Sequence, residues 1–97
     1  MKLHNYFVYI LTNKNKTVLY VGVTNDLVVR LQQHIAGKAK GFTHKYNCHY
    51  LIYYQRYDYI ELAIAREKEI KGWSRKKKEV LITSFNSEWM FLNDEVL

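Results

Sequence analysis

Residues 7–34 read FVYILTNKNKTVLYVGVTNDLVVRLQQH, two short aromatic and β-branched runs followed by a segment of helical periodicity. Residues 6–11 and 18–23 are rich in Val, Ile, Leu and Tyr, the composition of strands, and the polar Asn13-Lys14-Asn15-Lys16 between them consists of turn formers that cannot bury themselves. That pattern predicts a β-hairpin. Pairing Thr12 with Thr17 around a four-residue loop sets Tyr9 opposite Tyr20, so both phenols leave one face of the sheet. Val8, Ile10, Leu19 and Val21 then occupy the other face. With apolar residues on both faces, both need covering, which predicts helices on either side. Gly22 leaves the tyrosine face without a side chain and admits a close approach to the backbone.

A helix is expected over 26–36, with Thr24 or Asn25 as N-cap, Asp26 at the positive end of the dipole and Gly37 at C′. Leu27, Leu31 and Ile35 form its apolar stripe. At 100° per residue His34 falls inside the stripe and Arg30 on its edge, so both lean towards the sheet, where a buried guanidinium needs a partner.

These residues carry a resemblance. VYI at 8–10, YVG at 20–22, and Arg30 and His34 at helical spacing resemble the GIY-YIG nuclease domain, with Val8 standing where the first block has its glycine. Later blocks are similar to the small stand-alone branch of that superfamily: FTHKY at 42–46, LIYYQ at 51–55, AIAREKEIKGWSRKKK at 63–78 and NSEW at 86–89. Ser87 and Phe91 replace the proline and aspartate usual there. The resemblance spans nearly the whole chain and implies an α+β fold, a small three-stranded antiparallel sheet flanked by helices on both faces.

Length and composition agree with one small domain. A chain of 97 residues supports a single modest core, leaving no room for a second DNA-targeting domain, and 48% hydrophobic residues without proline argue for a globule rather than a disordered tail. Apolar runs fall well short of the roughly 20 residues of a membrane span, and no signal-peptide core is visible, so a cytoplasmic protein without membrane attachment is expected. The single Cys48 excludes an internal disulfide and reads as a small buried residue; His4, His34, His44 and His49 lack paired zinc spacing with it. No motif asks for a small-molecule cofactor.

The formal charge of +6 suits a polyanionic partner. Basic residues gather at Lys38, Lys40, His44 and Lys45, and again at Lys71, Arg75, Lys76, Lys77 and Lys78. The second run opens a helix, where positive charge opposes the dipole and invites a functional reason. The expected nucleic-acid contacts are therefore Lys38, Lys40, Lys45, Lys71, Arg75, Lys76 and Lys77, joined through the resemblance by Asn86, whose bland alternative is a helix C-terminus. Residues 38–47 read as a loop with one helical turn, and 49–56 as a third strand whose apolar centre implies an interior or well-covered position.

The next helix is expected to begin with Asp58 and Glu61 in a capping arrangement and to end at Gly72, with Ile60, Ala63, Ile64 and Ile70 facing inward. Glu67 falls on that stripe, whereas Glu69 is turned away. An inward carboxylate needs a cation or a metal; Arg30 is the candidate for the first, while the resemblance implies that Glu67 is the ligand of a divalent ion, Mg²⁺ or Mn²⁺. A final helix starts at Ser74 and packs through Val80, Leu81 and Phe85, with Trp73 and Trp89 as packing anchors.

Together the resemblance implies metal-dependent hydrolysis of phosphodiester bonds in nucleic acid, foremost DNA, with low sequence specificity. Tyr9, Tyr20, Arg30, His34 and Glu67 carry it: Arg30 holds the phosphate, a tyrosine activates water, with Tyr9 preferred and Tyr20 positioning water or phosphate, and His34 relays a proton or holds a tyrosine hydroxyl. The competing readings are a nucleic-acid-binding module without efficient cleavage and a protein-interaction domain with an incidental basic surface.

Overall fold

The computed structural model describes residues 4–38 and 41–97. Its centre is β1 (Tyr6–Thr12), flanked by β2 (Leu19–Thr24) and β3 (Tyr50–Tyr57) in the antiparallel order β2-β1-β3. A central strand is covered on both sides, and β1 alternates accordingly: Val8 and Ile10 enter one buried cluster, Tyr9 and Leu11 the other. Helices α3 (Ile60–Lys71) and α4 (Arg75–Phe85) cover the first face through Ala63, Ile70 and Ile82, while α1 (Leu27–Ile35) covers the second through Leu27 and Leu31. The fold is thus α+β with helices on both faces of a three-stranded sheet. Two single turns, α2 (Phe42–Lys45) and α5 (Asn93–Val96), complete it. No helix among the described residues is long and apolar enough to cross a membrane.

The hairpin register differs from the expected one by two residues. Thr12 pairs with Leu19, Leu11 with Tyr20, and Tyr9 with Gly22. Asn13 is the cause: its Oδ1 accepts from the backbone N–H groups of Thr17 and Val18, at 2.8 and 3.2 Å, and its amide donates to the Thr17 hydroxyl. The Thr12 hydroxyl also donates to the Val18 carbonyl at 2.7 Å, closing a longer loop than a four-residue turn. An even shift preserves facing, so the two tyrosines still share a face, but the residue opposite Tyr9 is now the glycine.

β3 is an edge strand that is nonetheless well covered. A bulge between Ile10 and Leu11 of the pairing sends both Ile52 and Tyr53 into the α3 and α4 side, with Leu51 on the other. The C-terminal segment closes the open edge: the Leu92 N–H donates to the Leu51 carbonyl at 2.7 Å, and the Asn93 side chain bridges the Leu51 N–H and the His49 carbonyl.

Helix ends show where local signals compete. Asp26, rather than Thr24 or Asn25, caps α1, accepting from the Val29 N–H at 3.0 Å, and Gly37 takes φ +72° beyond its C-terminus. His34 rather than Ile35 is the buried residue of its last turn. Asp58 does not cap α3; it pairs with Arg56, and Tyr59 stands at the N-cap without a side-chain bond, leaving Ile60 exposed. Ser74 caps α4 as expected, but Ile82 is its buried residue, Val80 points out, and Phe85 packs edge-on against Tyr53 and Tyr54.

The Tyr9 pairing makes Gly22 irreplaceable. A methyl carbon there would lie 2.4 Å from Cζ of Tyr9 and 2.5 Å from its hydroxyl, and that ring is fixed in the core. Gly22→Ala is expected to cost about 1–3 kcal/mol through overpacking. Gly72→Ala is the control, since its added carbon meets the Glu69 carbonyl oxygen at 3.5 Å at φ −78°, and should change stability by less than about 1 kcal/mol. Thermal melts that move equally in the two variants would contradict this account.

Candidate active site at the open edge of β2

Burying a phenol obliges its hydroxyl to find partners. Tyr9, 1% exposed, has its oxygen 3.1 Å from His34 Nε2 and receives a hydrogen bond from Arg30 Nε at 3.4 Å. Arg30 and His34 lie one turn apart on α1, so the helix delivers both to the same oxygen. The other ring nitrogen, His34 Nδ1, is 3.0 Å from the hydroxyl of Thr43, itself buried on α2. A chain of polar contacts therefore runs from β1 through α1 to the loop helix. The Arg30 guanidinium also donates to Gln33 Oε1, and His49 Nδ1 donates to the His34 carbonyl.

Burial pushes the Tyr9 phenol above its ordinary value, and the Arg30 hydrogen bond opposes it. Burial, reinforced by the Arg30 charge and by the neighbouring His49, lowers His34 to about 4. The imidazole is therefore neutral at pH 7 and carries one N–H, so the contacts run in a single direction along the chain, Tyr9 to His34 to Thr43 or the reverse. The Tyr9 oxygen is thus enclosed among its partners, and burial holds its proton more tightly than in a free phenol. Tyr20, half-buried on the edge strand, is the accessible phenol, its ring 6.3 Å from that of Tyr9 and 5.9 Å from that of His34.

Glu67 approaches from the opposite face of the sheet, and β2 is where the two faces meet because no strand among the described residues lies beyond it. Its side chain is 14% exposed and pairs with Lys71, one turn on, at 3.3 Å. Lys71 Nζ lies 5.9 Å from the Tyr20 ring centre, and the Glu67 charge is close enough to add to the upward push on Tyr9. The alternative ion pair of Glu67 with Arg30 is not formed; Arg30 serves Tyr9 and Gln33 instead. Glu69 faces away and pairs with Arg66. Among the described residues no three His, Cys, Asp or Glu side chains converge. A single carboxylate does not fit zinc or a calcium cage; it fits a hard cation that keeps most of its waters.

The basic residues divide. Lys38, Lys45, Lys76 and Lys77 are exposed, the last with its ammonium 4.4 Å from the Trp73 ring centre. Lys40 lies outside the described residues. Two of the expected nucleic-acid contacts are engaged within the fold. Arg75 donates to the Lys16 and Thr17 carbonyls and to Glu79, fastening α4 to the hairpin loop. Asn86 is buried, its amide donating to the Ile52 and Met90 carbonyls and accepting from the Met90 N–H. Conversely, Thr43 escaped the sequence reading, since a single helical turn is too short to show a periodicity.

Known proteins place this arrangement. The GIY-YIG catalytic domain matches residues 5–79, and the chain belongs to that family. Within it the chain is similar to small UPF0213 proteins: 34% identical over 88 residues to one from Bacillus pumilus, covering 91% of this chain and 89% of the relative. A second, from Natronomonas pharaonis, is 36% identical over 78 residues, covering 80% of this chain and 91% of the relative. The solution NMR structure of a UPF0213 protein from Bacillus halodurans matches with a TM-score of 0.53 and 34% identity, over 81% of this chain and 83% of that one. Membership in a family of catalytic domains implies an endonuclease-type function.

The His34 shift yields a pH prediction. The unfolded chain binds the proton near 6.5 and the fold only near 4, so between these values the unfolded state holds more protons and stability falls as pH falls. The contribution is complete above about pH 6.5 and gone by about pH 4, on the order of 3 kcal/mol. Denaturant melts of the native chain and His34→Gln across that range check it. The native chain should lose more stability on acidification, and parallel curves would refute the buried neutral histidine.

Proposed function

We propose that the chain is a divalent-metal-dependent endonuclease that hydrolyses phosphodiester bonds of nucleic acid, foremost DNA, with low sequence specificity. The observation that supports this most is the gathering of Tyr9, Arg30, His34, Tyr20 and Glu67 around one open strand edge, from both faces of the sheet. Arg30 offers a permanently charged fork whose remaining N–H groups meet a phosphate oxygen. The Tyr9 hydroxyl holds that guanidinium in place and, with Thr43, keeps the neutral His34 imidazole oriented. Tyr20, the accessible phenol, would give up its own proton to solvent and, as the phenolate, orient the attacking water and take its proton. Glu67 would hold a hydrated Mg²⁺ or Mn²⁺, which when bound supplies charge for the phosphate and the leaving oxygen. Lys38, Lys45, Lys76 and Lys77 contact phosphates along the strand and read no bases.

A second reading, a nucleic-acid-binding module without efficient cleavage, draws on one contact: Lys71 already neutralises Glu67. Glu67→Gln separates the two. The partner lysine is half exposed and one turn away, so losing the pair costs only about 0.5 kcal/mol. Cleavage of a labelled DNA panel with Mg²⁺ or Mn²⁺ should fall on the order of 10²-fold or more, with binding in chelator retained. A variant cutting at the native rate removes Glu67 from the site, and a native chain that binds yet never cuts selects the second reading.

The phenols are distinguished by stability as well as rate. Tyr20→Phe should fold as the native chain and cut more slowly. Tyr9→Phe strands the buried His34 and the partly buried Arg30 and should also melt lower, by about 1–3 kcal/mol. Equal stability of the two variants in urea titrations would show that the Tyr9 hydroxyl anchors nothing.

A further inference from the structure

Phe42 and Tyr46 are not used by the chemistry above. They stand one turn apart at α2, whose Thr43 points inward to His34, and both stay open to solvent, at 45% and 40%. Their rings are 4.7 Å apart, and the Phe42 ring lies 6.1 Å from that of Tyr20 at a 27° interplanar angle. Three aromatic rings thus lead outward from the site in a continuous series. Cations interleave them: Lys45 Nζ is 5.4 Å from the Tyr46 ring centre, and Lys71 Nζ 5.9 Å from that of Tyr20. Between Phe42 and the edge of β2 lies a shallow depression of about 270 Å³, whose floor and rim include Leu19, Val21, Lys71 and Lys78 but no carboxylate.

A core aromatic is enclosed, whereas these two stay open to solvent beside positive charge. That combination suits a ligand at once anionic and flat, which is a nucleotide, rather than an acidic peptide, which offers charge without a π-face. Bases inside a duplex are stacked on one another and offer no free face. Building on the nuclease reading, we propose that Phe42 and Tyr46 form a stacking platform for an unpaired base of the substrate, so that the strand enters unpaired beside the phosphate to be cut.

The test is binding of the native chain, in chelator so that nothing is cut, to a short labelled thymidine oligonucleotide, to an abasic strand of equal length, and to a duplex. The base-bearing strand should bind at least about 5-fold more tightly than the abasic one. Phe42→Leu and Tyr46→Leu should each weaken single-strand binding roughly 5- to 100-fold while leaving duplex and abasic binding unchanged, and Phe42→Trp should restore it. Equal binding of base-bearing and abasic strands by the native chain overturns the platform, and so does a uniform loss across all three probes in the leucine variants. If cleavage with metal persists in that case, only the platform falls. If no probe binds at low salt and none is cut, the nuclease reading falls with it.

Discussion

The structure depends on a phenol in the wrong place for a phenol. Tyr9 sits in the middle strand of the sheet, where an unpaired hydroxyl costs several times what a satisfied one does. Its oxygen is met by Arg30 and His34, and its ring fills the space that Gly22 leaves on β2. One residue thereby locks the hairpin register that the Asn13 loop sets, and fixes the rotation of α1. Through His34 and Thr43 it also fixes the seat of α2. Arrangements that slide any of these leave a buried polar group without a partner, so the polar chain specifies the fold as strongly as the apolar clusters do.

The same geometry explains why the chemistry gathers at an edge. The apolar clusters on the two faces of the sheet are separated by the strands, and groups projecting from α1 and α3 can meet only by reaching around a strand that has no neighbour. β3 is also an edge, but the C-terminal segment pairs with its start. β2 is left open, and it carries Tyr20, with Lys71 and Glu67 arriving from α3 and Phe42 from α2. An exposed strand edge is ordinarily a hazard for aggregation, and here the surrounding lysines repel other chains while favouring a polyanion.

Much of this was legible in the sequence because it rests on periodicity. Alternation along β1 reveals a sheet covered on both faces, and helical spacing turns His34 and Glu67 inward. What escaped depends on side-chain competition that no period records. Asn13 captures two N–H groups and lengthens the hairpin loop, which moves Gly22 rather than Tyr20 opposite Tyr9. Asp58 prefers Arg56 to the start of α3, and Glu67 takes the adjacent Lys71 in place of the distant Arg30. Thr43, on a single turn, has no pattern at all until α1 is folded beneath it.

Charge was the least legible feature, since a run such as Arg75-Lys76-Lys77-Lys78 counts four cations without saying what each is for. The first is committed to the hairpin loop carbonyls, and the third lays its ammonium over Trp73 while staying exposed. A cation already satisfied by protein acceptors gains less from a phosphate than one held only by water, because moving to the phosphate forfeits contacts it already makes. Neutralising Arg75 therefore strikes the junction of α4 with the hairpin, whereas neutralising Lys76 strikes only the field. The charge left free for a polyanion is accordingly smaller than the net charge of +6 suggests, because some of these cations are already engaged by the fold while others, such as Lys38, Lys45 and Lys76, stay exposed.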